Sequence, residues 1–201
     1  MNKNEIKDSF INTWQCEANE ILRLHEYIDF DIMEAITEKI ALCDGKIVIT
    51  GCGTSAAAAK KIVHSFTVID IPSVFLIPSD AVHGSLGVVT EKDIVIFVSK
   101  GGNTEELTSF VQNVKNKGAF IITVSENEES LLAQNADLFL KVKIEREPDP
   151  FDMLASASTL AIISVFDAIC IALMDRPGFD KDRFYLNHPK GAVGKRLSEN
   201  K

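Results

Sequence analysis

At 201 residues, with 46% hydrophobic and 25% charged residues, the chain is long enough for one α/β domain with a sizeable core and short for two. A formal charge of −8, with no basic cluster to override it, argues against a nucleic-acid-binding surface. The opening MNKNEIKDSF is polar, and the most apolar stretch, Leu160 to Met174, is interrupted by Asp167 and short for a bilayer; a cytoplasmic protein with no membrane partner is expected.

Apolar residues at helical spacing (Ile6, Phe10, Ile11, Trp14, Ala18, Ile21) predict a helix over about 5–27. A second begins at Asp31, with Ile32, Ala35, Ile36, Ile40 and Cys43 on one face, and stops at Asp44-Gly45. From Lys46 the pattern alternates: strands at 46–50, 73–77, 93–98, 119–124 and 137–142, with helical segments at about 55–67, 104–117 and 128–134. Nearly all-apolar strands such as IVIT and IVIFV belong in a parallel sheet covered on both faces, so the spacing predicts a doubly wound α/β domain of five strands. The proline-broken run 143–150 reads as a loop, followed by a long helix over about 153–174 and a tail. One domain over 1–201 is expected, with N-terminal helices in 1–44, the α/β core in 45–142, and the loop, long helix and tail in 143–201. The leading helices need a surface to pack on, and a partner subunit is one candidate. Cys16, Cys43 and Cys170 fall in apolar-patterned segments and are expected to be buried; Cys52 alone sits in a glycine turn, and no spacing suggests a metal or redox pair.

The stretch VSKGGNTEEL at 98–107 stops an apolar run at Ser99, Gly101 and Gly102 and starts a helix at Thr104. A strand, a glycine turn and a helix N-terminus present free backbone N–H groups and the positive end of the helix dipole, a setting that holds phosphate. An ordinary β–α turn with Thr104 as N-cap is the plainer reading. A second turn of similar build, Gly51-Cys52-Gly53-Thr54-Ser55, follows an earlier strand. It also satisfies the GxGxxA pattern of a dinucleotide site, but the acid such a site needs would be Asp80, which follows Ile77-Pro78-Ser79 and lies past the expected strand end. Hydroxyls of Ser55, Ser99 and Thr104 converging on one sugar phosphate fit better.

Four stretches carry a resemblance to the sugar isomerase (SIS) domain, and within it to the arabinose-5-phosphate isomerase family. GCGTS at 51–55 resembles the family's GxGKSG turn, and PSDAVHGSLGVV at 78–89 its PAEASHGDLGMV segment. SKGGNTEE at 99–106 resembles SNSGESSE, and LNHPKGAVGKRL at 186–197 resembles LSHPGGALGRKL. The resemblance implies a flavodoxin-like fold, a homotetramer (or a dimer), and aldose–ketose isomerisation of a sugar phosphate, with no metal or cofactor. It implies substrate binding by Gly53, Thr54, Ser55, Ser99, Gly101, Gly102, Asn103 and Thr104, and proton transfer by His83, His188 and Glu147, with His188 reaching a neighbour's site. The family's pair of C-terminal CBS domains is expected to be missing, because the chain stops at Lys201. Thr54 stands where the family has lysine, Asn103 where it has glutamate, and Gly101, beside Lys100, where it has a second serine. These departures leave two alternatives to isomerisation of arabinose 5-phosphate: a phosphosugar-binding module without catalysis, and an isomerase of another sugar phosphate. His25 and His64 lie on helical segments and are expected to be structural.

Overall fold

The computed structural model describes residues 2–198; Met1 and 199–201, which the sequence places in the terminal stretches of the domain, lie outside the described residues. Helices α1 (Lys3–Leu22), α2 (Leu24–Tyr27) and α3 (Phe30–Ala41) precede β1 (Ile47–Gly51), α4 (Gly53–Val68), β2 (Ser73–Phe75), α5 (Pro78–Ala81) and a 3-10 turn at Ser85–Val88. Then come β3 (Ile94–Val98), α6 (Glu105–Asn116), β4 (Phe120–Ser125), α7 (Leu131–Gln134), β5 (Leu138–Lys141), α8 (Ala157–Met174), α9 (Lys181–Asn187) and α10 (Gly191–Ser198). All strand pairs are parallel, in the order β2-β1-β3-β4-β5. The expected five-stranded, doubly wound sheet is therefore present. The chain winds outward from β1 to β2, then returns to β3 on the other side of β1. That reversal opens a crevice at the carboxyl ends of β1 and β3, where ligands bind in such sheets.

Period-two alternation within the strands splits the core. Ile47 and Ile49 of β1 and Ile94, Ile96 and Val98 of β3 pack with α3, α4 and α8 through Ile40, Ile62, Phe66, Val165 and Phe166. Val48, Val95 and Phe97 point the other way, onto Leu107, Phe110, Val111 and Val114 of α6. Each such side chain removed from water contributes about 1.5–3 kcal/mol. By length and composition α8 could cross a membrane. Here it is the core helix of one face: Ala161, Val165, Phe166 and Ile169 are buried, and Asp167 pairs with Lys61 of α4.

Several boundaries differ from the sequence expectation. The helix expected from about 153 starts at Ala157, because the Asp149 carboxylate accepts N–H bonds from Phe151, Met153 and Leu154 and holds that segment as a loop. The helix expected over 128–134 begins at Leu131, since Asn127 forms a side-chain turn with the Glu129 N–H and Ser130 caps the start. Of the three cysteines expected to be buried only Cys170 is; Cys16 and Cys43 are half-buried, at the edges of their packed faces.

The amino-terminal edge of the sheet is closed by one buried carboxylate. Asp93, 2% exposed, accepts the Lys46 amide at 2.9 Å, the Lys46 ammonium at 2.7 Å and the Thr90 amide at 2.6 Å. Burial pushes its pKa up, but these donors outweigh it and hold the group below the usual carboxylate range. A side chain at Gly45 would run into Asp93 Oδ1, which accounts for glycine there. Elsewhere apolar surface stays open: Trp14 on α1 is 64% exposed, and Phe10, Phe30, Leu42 and Ile171 are also exposed.

Candidate functional site

The site is built where the two glycine turns leave adjacent strands, Gly51 of β1 being paired with Val98 of β3. Ser99, 3% exposed, donates its N–H to Val124 O at 3.1 Å, which ties the turn to β4. Its Oγ lies 2.8 Å from Thr104 Oγ1 and accepts the Gly102 N–H at 3.1 Å. Gly102 has φ +69°, and a Cβ there would overlap the Ser130 side chain, so only glycine fits. The turn is braced from outside as well. Asn103 Oδ1 accepts the Leu131 N–H at 2.8 Å, Gly102 O accepts the Leu132 N–H at 3.2 Å, and Lys100 O accepts the Ser125 hydroxyl at 2.8 Å. The amide nitrogen of Asn103, a donor, takes no part in that bond.

Side-chain capping is uneven along the chain, and α2, α5 and α8 also lack a cap from their own N-cap residue. Asn2, Asp29, Ser130 and Asp180 cap α1, α3, α7 and α9 with their side chains. The helices at the crevice, α4 and α6, have no side-chain cap, and the Thr104 hydroxyl is turned to Ser99 instead of its own helix. Their first N–H groups and dipoles are thus presented to the crevice, the arrangement that receives an anion. Gly53 opens α4 with φ +55°, again a glycine conformation. At Gly51 a Cβ would come within 3.0 Å of Val98 O and 3.1 Å of the Ser55 backbone, so glycine lets the first turn of α4 close on β3. Ser99 and Thr104 are brought together directly; Ser55, half-buried on the first turn of α4, and the exposed Thr54 stand across the crevice from them. Cys52 is a neutral thiol, its pKa raised by burial and by the Glu106 charge.

His83 lies on the exposed turn after α5, its N–H bonded to Asp80 O at 3.0 Å, on the loop that leaves β2 beside β1. Glu147, a residue of the charged loop, is 1% exposed. Its carboxylate accepts the Ser158 hydroxyl, the Ser156 amide at 3.0 Å and the Lys100 ammonium at 3.2 Å. Burial pushes its pKa up, but Ser158, Ser156 and Lys100 together hold it below the usual carboxylate range. These donors keep the buried carboxylate in its charged form. It also takes the place of a side-chain cap on α8.

His188 is not brought to this crevice within its own chain. It ends α9, with its ring stacked on Phe184 at 4.4 Å and Nδ1 3.1 Å from Phe184 O. The adjacent Asn187 bonds Val68 O and Asp70 Oδ1, at the end of α4 opposite Gly53. A 16-residue helix such as α4 rises about 24 Å, so His188 lies a helix length from the glycine turns. His25 is exposed with Nδ1 2.6 Å from Leu22 O, and His64 is exposed on α4; neither is at the crevice. Sequence reasoning missed the Lys100–Glu147 pair and the two serines that hold it. The signal available was Ser156-x-Ser158 ahead of an apolar helix, a start with anion-binding capacity.

Fold and site together define a doubly wound domain whose switch-point crevice is flanked by two helix starts without side-chain caps and by the Ser99–Thr104 hydroxyl pair. The SIS domain profile matches residues 40–173, and the chain belongs to that family. A solved structure from Listeria monocytogenes, described as a candidate sugar-phosphate isomerase, is 51% identical with a TM-score of 0.93, over 94% of this chain and 100% of that one. An Escherichia coli CFT073 protein in complex with arabinose 5-phosphate is 28% identical with a TM-score of 0.89, over 94% and 100% of the two chains. The arabinose 5-phosphate isomerase KdsD of Shigella flexneri is 36% identical over 181 residues, 90% of this chain and 55% of that protein. The chain spans about half the length of the curated relatives it matches.

Proposed function

We propose that the protein is a phosphosugar isomerase interconverting arabinose 5-phosphate and ribulose 5-phosphate. The observation that carries this is the pair of uncapped helix starts flanking the Ser99–Thr104 hydroxyl pair at the β1/β3 switch point. The same fold in the E. coli CFT073 protein holds arabinose 5-phosphate, which supports the substrate. Phosphate is held by Ser55, Ser99 and Thr104 with the amides of Gly53, Gly101 and Gly102, while Thr54 and the Asn103 amide meet the sugar. Aldose–ketose exchange needs a base at the carbon beside the carbonyl and an acid for the oxygens of the enediol. Glu147, kept anionic, and His83 at the same edge supply groups from one chain.

His188 acts in trans. Its distance from its own crevice and the open apolar faces of α1, α3 and α8 support a homo-oligomer, most simply a tetramer, in which the tail of one subunit closes the site of another. No cofactor is called for by proton transfer between positioned side chains, and the protein is placed in the cytoplasm. Incubation with a panel of pentose and hexose phosphates in deuterated water tests the reading. Deuterium entering beside the carbonyl of arabinose 5-phosphate, with ketose formed, is the expected result. A binding module without catalysis, favoured by Thr54 and Asn103 in place of the family's lysine and glutamate, gives binding with no exchange. Exchange with a hexose phosphate alone would move the substrate without moving the chemistry.

A further inference from the structure

Among the described residues of the two glycine turns, 51–55 and 99–104, Lys100 is the one cation. It directly follows Ser99, and its backbone is fixed by the Ser125 hydroxyl and the Glu126 N–H, both bonded to Lys100 O, at 2.8 and 3.0 Å. Its ammonium lies 3.2 Å from Glu147 Oε1, yet the side chain is 39% exposed while that of Glu147 is 0% exposed. One side of the ammonium is thus held by a buried anion and the other is open. An ammonium has three donors, and the one directed at Glu147 leaves the others for a ligand.

Electrostatics gives this cation a task. On the sugar-phosphate reading, a phosphate held at the 99–104 turn meets the charge of Glu147, which is linked to that turn through Lys100, and two anions at close quarters repel. A lysine that belongs to the 99–104 turn and is tethered to that carboxylate would offset the repulsion without a lysine in the first turn, where this chain has Thr54. Resting on the sugar-phosphate reading above, we propose that Lys100 bridges Glu147 and the phosphate of the bound substrate, and is a substrate-contacting residue of this site. Glu147 then serves as the anchor that holds the ammonium in place.

The plainer alternative is that Lys100 merely neutralises Glu147. Two backgrounds separate the two roles. In the wild-type background, Lys100→Met leaves Glu147 buried and unpaired, so it mixes folding with binding. In a Glu147→Gln background the amide oxygen still accepts from the ammonium, so the tether stays, no buried charge is stranded, and Lys100→Met tests ligand contact alone. Inorganic phosphate, titrated by phosphorus NMR, is the probe, because it does not depend on which sugar is correct. Loss of one charge-assisted bond should weaken phosphate binding about 10- to 100-fold in both backgrounds. Lys100→Arg should recover the greater part of it. Phosphate affinity unchanged by Lys100→Met in the Glu147→Gln background overturns the proposal, whatever happens in the wild type. Wild-type protein that binds phosphate but isomerises no sugar phosphate sinks the isomerase reading and leaves Lys100 to be decided by the titration. Wild-type protein that binds no phosphate overturns both.

Discussion

The two edges of the sheet carry the same small device in different settings. At the amino-terminal edge a buried carboxylate, Asp93, binds one lysine and two backbone amides; at the carboxyl edge Glu147 binds one lysine, two backbone amides and a hydroxyl. Lys46 is 24% exposed and its surroundings are finished: Gly45 lies against the carboxylate with no room for a side chain. Lys100 is 39% exposed and stands in a turn flanked by helices whose first N–H groups have no side-chain cap. A satisfied ion pair closes one edge. The other edge is left with donors to spare, and that surplus is what a phosphate can use. The difference lies not in the charged pair but in whether its neighbours are already satisfied.

The largest effect should come from a residue that rests near the closed edge of its own chain. His188→Ala is expected to lower turnover about 10²- to 10⁴-fold, the usual contribution of a positioned acid or base, with the oligomer unchanged by light scattering. Because Asn187, next to His188, bonds Val68 and Asp70, the catalysis lost is expected at a neighbour's open edge. Mixing His188→Ala subunits with Ser99→Ala subunits should therefore restore part of the activity. No recovery in the mixed oligomer would return His188 to its own chain's site and break the two-edge picture. A monomer at micromolar concentration would do the same.

Next come two changes at the open edge itself. Gly102→Ala forces a side chain into a left-handed backbone at about 1–2 kcal/mol, and its overlap with Ser130 adds about 1–3 kcal/mol more. The expected readout is a lowered melting temperature together with lost sugar phosphate binding, since the turn and the α7 start move together. Ser99→Ala removes a donor to a charged oxygen and should weaken sugar phosphate binding by about 1.5–3 kcal/mol. Undiminished affinity in Ser99→Ala would take the phosphate away from this turn.

How far these edges can be read in the sequence depends on which residues hold them. The five strands and their parallel sheet follow from apolar runs joined by helical spacing, and the two glycine turns announce themselves because few residues tolerate the backbone at Gly53 and Gly102. Ser99 and Thr104 are legible for the same reason: they flank a turn of fixed shape. Glu147 is not legible from its surroundings, because a glutamate between Arg146 and Pro148 looks like solvated surface. Its burial depends on Ser156, Ser158 and Lys100, contacts separated by up to 47 residues. Helix starts at Ala157 and Leu131 are hidden likewise by side-chain turns at Asp149 and Asn127, which local periodicity does not register. The position of His188 relative to the crevice is a property of topology and emerges only once α9 is placed against the far end of α4.

The smallest effect belongs to the closed edge, and it is the control for the rest. Asp93→Asn should cost about 1–3 kcal/mol of folding stability at neutral pH, the range for a buried hydrogen-bonded group that loses its match. It should leave phosphate affinity and turnover unchanged, because Asp93 and its partners Lys46 and Thr90 lie at the opposite end of the strands from the crevice. The pH dependence gives the sign. Asp93 has its pKa lowered in the folded protein, so its stabilisation is fully present above the unfolded carboxylate value, roughly 3.9. It is lost as pH falls through the lower folded value. Glu147, lowered in the same direction, adds to the same acid limb. Urea unfolding of the wild type should therefore weaken below about pH 4, and the gap between wild type and Asp93→Asn should narrow there. A gap as wide at about pH 3 as at neutral pH would mean that the asparagine disturbs packing and that charge is not what closes this edge. Weakened phosphate binding in Asp93→Asn would be the more damaging result, since the two edges would then be coupled through the sheet and could no longer be contrasted.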